Sequence, residues 1–199
     1  MNRRIILSSG NKHKVSEIKD ILKDMPFEVI SKDDLGYNDF DVEEGGTTLE
    51  ENALKKATEL HKLTKGIVIA DDTGLFVDEL NGDPGIYSAR YAGEPTSDKN
   101  NRELLLKNLE SVPFEKRTAY FKTVIAIVLE DGSKMTAEGK VTGTIGFEEK
   151  GKNGFGYDSL FLAEDTGRTF AEMTDYEKNQ ISHRARALQN LKKRLEEYI

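Results

Sequence analysis

Residues 67–74 read Ile-Val-Ile-Ala-Asp-Asp-Thr-Gly: an apolar, mostly β-branched run broken by two adjacent carboxylates, a hydroxyl and a glycine. Such a run forms a strand. A strand that ends in charge delivers it to the carboxyl edge of a sheet, where the ligands of open α/β sheets collect. Asp71 and Asp72 then stand where a metal-bound phosphate would be met. The competing reading is structural, because Asp-Asp-Thr-Gly is also a turn sequence.

The preceding chain supplies what a central strand needs. Arg4–Ser8 reads as a first strand running into Ser9-Gly10-Asn11-Lys12-His13-Lys14, and from Val15 the apolar residues fall at 15, 18, 21 and 22, the spacing of one helical face. Backbone amides at such a helix start bind anions, and Lys12, His13 and Lys14 add positive charge. The alternative is a plain loop with a solvated basic patch. Walker-loop spacing is absent. Phe27–Ile30 is a second strand, followed by an acidic loop from Asp33 to Gly46. Thr47-x-x-Glu50 and Thr48-x-x-Glu51 both match a capping box, which predicts a helix to about Leu63. Glu43 and Glu44, just upstream, serve either the helix dipole or a metal. Lys55 and Lys56 would ordinarily be solvated.

Ser97 caps a helix carrying Leu104, Leu105, Leu106 and Leu109, which reads as structural. Arg117–Leu129 is the longest strand, and Asp131-Gly132 turns it back through Lys134–Val141. A further glycine turn then leads to Thr144–Phe147. The order β-α-β-α-β, helix, antiparallel hairpins predicts an α/β fold with a mixed sheet and a single domain over residues 1–199.

Two later segments carry chemistry. Gly151–Asp158 holds three glycines, Phe155, Tyr157 and Asp158; its rings either cover a planar base or anchor the core. Lys178, His183 and Arg184 gather before or at the start of a last helix whose apolar face uses Leu188, Leu191, Leu195 and Tyr198. The helix dipole opposes cations there, and a bound anion would reconcile them.

Composition narrows the chemistry. With 29 lysines and arginines against 36 acids, the net charge of −7 gives no global field for nucleic acid or an anionic membrane. There is no cysteine, so thiolate chemistry is out, and three histidines, at 13, 61 and 183, do not suit a multi-histidine zinc site. Carboxylates suit Mg²⁺. Ile5–Leu7 is too short an apolar run for a signal peptide and no segment approaches a membrane span, so a cytoplasmic location is expected.

Six motifs then stand in one order: Ser9-Gly10-Asn11-x-x-Lys14; the acidic pair before Thr48-x-x-Glu51-Asn52-Ala53; Ala70-Asp71-Asp72-Thr73-Gly74; Pro84-Gly85-x-Tyr87-Ser88-Ala89-Arg90; Gly154-Phe155-Gly156-Tyr157-Asp158; and Glu177-Lys178-Asn179-x-x-Ser182-His183-Arg184. From residue 5 to about 195 this resembles the inosine-triphosphate pyrophosphatase family. The resemblance implies an elongated central mixed β-sheet flanked by helices, with two lobes around a nucleotide cleft, in a homodimer. It also implies Mg²⁺-dependent hydrolysis of non-standard purine nucleoside triphosphates (ITP, dITP, XTP) to monophosphate and pyrophosphate.

Position by position, the resemblance gives Ser9, Gly10, Asn11, Lys12, His13 and Lys14 to the triphosphate and Lys56 to a phosphate. Glu44, with Glu43 beside it as the alternative, and Asp72 bind the metal. Asp72 is also the proton acceptor, Asp71 its neighbour, and Thr73 a substrate contact. Phe155, Gly156, Tyr157, Asp158, Lys178, His183 and Arg184 hold base and sugar. The 6-keto group of the base would accept from the Arg184 guanidinium or from an N–H of the 155–158 loop, a donor that adenine's amino group would leave unpaired.

Overall fold

The computed structural model describes residues 3–196; Tyr198, placed above on the last apolar face, lies outside them. Strand β1 (Arg3–Leu7) pairs in parallel with β2 (Phe27–Ser31) and β3 (Ile67–Val77), Ile5 standing opposite both Val29 and Ile67. The hydrogen-bonded strand order is β2-β1-β3-β5-β6-β7, with β5 at Thr118–Val128, β6 at Lys134–Ile145 and β7 at Phe161–Ala163; the two-residue β4 (Pro84–Gly85) pairs antiparallel with β3. Among the described residues five α-helices accompany the sheet: α1 (Lys12–Leu22), α2 (Leu49–Thr64), α3 (Asp98–Asn108), α4 (Asp175–Ile181) and α5 (His183–Glu196). Parallel and antiparallel pairs make the sheet mixed, as the sequence predicts.

The chain divides into two compact units. The first comprises residues 1–72, 123–139 and 184–199, within the described range; the second comprises residues 73–122 and 140–183. Each has its own core. Ile5, Leu7, Ile69 and Ile127 meet Ile18, Leu22 and Leu188 in the first unit. Leu75, Phe121, Ile145, Phe161, Phe170 and Leu105 meet in the second. The covalent chain passes from one unit to the other inside β3, β5 and β6 and at the start of α5.

Two expectations change. The β3 strand does not end at Asp71: it runs through both carboxylates, Thr73 and Gly74 to Val77, so the turn reading is wrong. Gly74 is needed because β4 lies against it, and a Cβ there would come 2.5 Å from the Gly85 carbonyl oxygen. Nor is there a turn after Val141. β6 continues through Gly143, where β7 approaches so closely that a Cβ would lie 2.2 Å from the Leu162 carbonyl oxygen. Lys178 does precede the last helix, but inside a separate short helix, α4, which the sequence reading did not set apart and which Thr174 and Glu177 close with a reciprocal capping box.

Candidate active site

In the first unit the site begins with strand geometry. Consecutive residues of a strand face opposite sides of the sheet, so Asp71 and Asp72, neighbours in sequence, enter different environments. Both are buried. The Asp71 carboxylate accepts from the Lys14 ammonium at 3.0 Å and from the Arg184 guanidinium, Nη2 at 3.2 Å and Nε at 3.4 Å. Arg184 also bonds Glu17 through Nη1. Burial alone would raise Asp71, but Lys14, Arg184 and Lys56 overcome it and hold the carboxyl far below the ordinary range. Burial also pushes the Lys14 ammonium down, against the pull of Asp71.

Asp72 is treated differently. Its Oδ1 accepts from Lys56 at 3.0 Å and its Oδ2 from the Asn52 amide at 3.2 Å. Lys56 donates again to the Glu44 carboxylate at 2.8 Å. Burial pushes the Asp72 carboxyl up; Lys56 opposes this and the Glu44 charge adds to it. Lys56 itself is raised, the charges of Asp72, Asp71 and Glu44 outweighing its burial. The two carboxylates are thus driven apart in basicity, one fixed as an anion and the other able to take a proton, the arrangement by which a site separates acid–base roles.

Local structure explains these placements. Asn11 caps α1, its Oδ1 accepting from His13 N–H at 3.0 Å and Lys14 N–H at 3.2 Å, which sets Lys14 in the first turn. Lys12 and His13 are exposed, as is Gly10, and the half-buried Ser9 accepts from Asn11 N–H at 3.2 Å. Thr48, not Thr47, caps α2, and Glu51 turns back to the Thr47 N–H at 2.7 Å. Asn52 and Lys56, four residues apart on α2, share one face. Asn52 is 1% exposed, and its Oδ1 accepts from Gly46 N–H at 2.9 Å, an obligatory donor that forces the amide NH₂ toward Asp72. Glu44 is half-buried beside this turn, whereas Glu43 is exposed and offers its backbone oxygen to Lys55.

Among the described residues no three His, Cys, Asp or Glu side chains are grouped for a metal ion. Glu44 and Asp72 nevertheless turn carboxylate oxygens to one ammonium. Two such hard oxygens, completed by substrate phosphates, match the way Mg²⁺ is commonly held. The cluster contains three cations, Lys14, Lys56 and Arg184, and four carboxylates, Glu17, Glu44, Asp71 and Asp72. It has no positive excess to offset a polyphosphate by itself, so the donor set fits a divalent cation arriving with such a ligand.

The second unit holds the other residues singled out in sequence. Thr73 follows Asp72 in β3 and is half-buried. The Asp158 carboxylate accepts from the Lys178 ammonium at 2.8 Å and from Phe155 N–H at 3.0 Å, closing the glycine loop. Lys178, 2% exposed, lies 4.9 Å from the Phe155 ring centroid. Tyr157 is buried and donates to the Ser88 carbonyl at 2.8 Å, so it is an anchor rather than a face for a base. His183 stacks on Phe121 with centroids 4.6 Å apart.

Arg184 stands apart from this set. Its guanidinium is 1% exposed and bonded to Asp71 and Glu17 in the first unit, a position from which it orients a carboxylate. Sequence reasoning missed Glu17 and gave Asn52 a place in a motif but no role. The available signal was a polar residue on an apolar helical face: Glu17 precedes the buried Ile18, and Asn52 lies between Leu49 and Ala53.

The description "Ham1 family" belongs to the family model that matches residues 5–194. A dITP/XTP pyrophosphatase from Thermoanaerobacter sp. (strain X514) is 54% identical over 198 residues, covering 98% of this chain and 99% of that protein. Its namesake from Haemophilus influenzae (strain ATCC 51907 / DSM 11121 / KW20 / Rd) is 51% identical, covering 98% of this chain and the whole of that protein. The solved Ham1 protein of Staphylococcus aureus superposes with a TM-score of 0.87 at 42% identity over 99% of this chain and all of its own.

Proposed function

Since the chain belongs to the Ham1 family, we propose that it hydrolyses non-standard purine nucleoside triphosphates, ITP, dITP or XTP, to the monophosphate and pyrophosphate. The observation that carries this reading is the divergence of Asp71 and Asp72, since in-line hydrolysis needs a fixed anionic framework beside a carboxylate that takes a proton. The relatives' shared name, dITP/XTP pyrophosphatase, supports the substrate class.

Asp72 takes the proton of the attacking water, its carboxylate oriented by Lys56 and Asn52. Asp71, with Arg184 and Glu17 behind it, keeps Lys14 aimed at phosphate. The Ser9–Lys14 loop receives the triphosphate, and Lys56 moves from the carboxylates to a phosphate oxygen. Glu44 and Asp72 would hold Mg²⁺, which would neutralise phosphate charge and polarise the phosphoryl group.

Base and sugar fall to the second unit, to Lys178, His183 and the 154–158 loop, whose Phe155 and Gly156 N–H groups are already spent on Asp158 and Asp98. A buried ammonium fixed by Asp158 suits a base carbonyl and leaves adenine's amino group without an acceptor. The resemblance supports one functional domain, a homodimer and a cytoplasmic location; the −7 charge supports a free nucleotide rather than nucleic acid as ligand.

The test is a substrate screen of ITP, dITP, XTP, ATP and GTP with Mg²⁺ and with chelator, following pyrophosphate and orthophosphate separately. Pyrophosphate from the first three, lost with chelator, is expected. Orthophosphate as the first product would remove the reading. Asp72→Asn should lower turnover at least about a hundredfold while nucleotide binding by calorimetry persists; wild-type turnover would move the base elsewhere.

A further inference from the structure

The glycine loop is held from a side that the reaction does not explain. Its two ends are fixed internally: Phe155 N–H goes to Asp158, and at Gly154 a Cβ would lie 2.1 Å from the Asp158 Oδ2, leaving room only for glycine. Tyr157 is anchored through its hydroxyl on the Ser88 carbonyl. Between these lies Gly156, at φ +59°, with no atom within 4 Å of where a side chain would stand. Both of its backbone polar atoms are nonetheless engaged, and by one element. Asp98 accepts from the Gly156 N–H at 2.9 Å, and the Arg102 guanidinium donates to the Gly156 carbonyl at 2.9 Å.

The two side chains lie four residues apart on α3, so they project from one face and bracket a single residue. That face is itself braced. Arg102 pairs with Glu149 at 3.0 Å, and Glu149 also accepts from Ser159 at 3.0 Å. Asn101, 2% exposed, accepts from Ala92 N–H at 2.7 Å and donates to the Ala89 carbonyl at 3.0 Å. Leu105 and Leu109, fully buried, seat the helix in the second core. A stabilising role alone would not require two polar side chains on one glycine whose neighbours are already anchored. Freed from them, Gly156 is a hinge between two fixed neighbours, because glycine has the widest conformational range of any residue.

We propose that Asp98 and Arg102 are positioning residues for base selection: they hold the 154–158 loop in the one conformation that reads the purine, without touching it. This rests on the reading that the loop holds the base. Loosening the bracket should then weaken substrate binding and blur discrimination among bases, while the chemistry at Asp72 is untouched. A loss confined to binding raises KM and spares kcat.

The experiment is steady-state kinetics on dITP and dGTP for Asp98→Ala, Arg102→Met, the conservative Asp98→Asn and, as reference, Lys178→Met, with melting temperatures for all. Asp98→Ala and Arg102→Met should each raise KM for dITP about tenfold, the equivalent of one hydrogen bond. They should also narrow the dITP-over-dGTP preference, with kcat and melting temperature near wild type. Asp98→Asn, which keeps an oxygen acceptor, should behave as wild type. Unchanged KM and preference in Asp98→Ala and Arg102→Met, or a lowered kcat that tracks a lowered melting temperature, would overturn the inference. Lys178→Met separates the two levels: if it erases the preference while the α3 variants do not, only the bracket is lost. If it too leaves the preference intact, the assignment of the base to this loop falls with it.

Discussion

At the residue scale, two adjacent aspartates differ in what they do for the fold. Asp71 is a buried anion compensated by Lys14 and Arg184. Its folded carboxyl lies below the unfolded value, so its stabilisation is present above the unfolded carboxylate pKa and is lost as pH falls through the folded one. Asp71→Asn removes the buried counter-charge shared by Arg184 and the half-buried Lys14 and is expected to cost on the order of 3–5 kcal/mol at pH 7, read as a lower urea midpoint, with the deficit shrinking in acid. Asp72 has the opposite sign. Its folded carboxyl is raised, so its favourable contribution is complete below the unfolded pKa and fades as pH rises through the folded one. In chelator at pH 7, Asp72→Asn should therefore unfold no earlier than wild type, although its turnover is expected to fall. Equal destabilisation by both substitutions would mean that the two carboxylates share one environment.

At the element scale, the N-terminal turn of α2 sets the geometry that Asp72 and Glu44 use. Asn52 joins the Gly46 backbone to the Asp72 carboxylate, and a Cβ on Gly46 would come 2.5 Å from the Asn52 Oδ1. Gly46→Ala is expected to push that amide off Asp72 and lower kcat between about tenfold and a hundredfold, as a small misplacement of a reacting group does. Initial rates at saturating dITP and Mg²⁺ check this, and a wild-type kcat would release Asn52 from the role. Much of this turn was legible beforehand: the acidic pair, the capping pattern and the helix all stand in the sequence. What was not legible was which threonine caps, since Thr47 and Thr48 fit the pattern equally and only the path of the chain gives Thr48 the Glu51 N–H. β3 misleads for a related reason. Asp-Asp-Thr-Gly signals a turn by propensity, but partners distant in sequence, Lys14, Lys56 and Arg184, let a strand carry two carboxylates through its interior. Local pattern is blind to compensation from so far along the chain.

At the scale of the whole molecule, the chain serves two units with residues that are neighbours in sequence. Asp72 closes a segment of the first unit and Thr73 opens the second; His183 ends the second and Arg184 returns to the first. The family resemblance treats His183-Arg184 as one motif for the base, and the sequence offers no means of dividing it. Burial does: His183 stacks on Phe121 while Arg184 grips Asp71 and Glu17. On the proposed reading, the cations given to phosphate, Lys14 and Lys56, belong to the first unit and the residues given to the base, Lys178 and His183, to the second, and each unit has its own core. Ligand fragments should separate them. Calorimetry with tripolyphosphate and Mg²⁺ is expected to show binding weakened about tenfold or more by Lys14→Met, the loss of one charge-assisted contact, and unchanged by Lys178→Met. With inosine 5′-monophosphate the larger loss should come from Lys178→Met. Should Lys178→Met weaken tripolyphosphate as strongly as Lys14→Met, Lys178 would be a phosphate ligand, and base selection would have to be sought among His183 and the loop backbone.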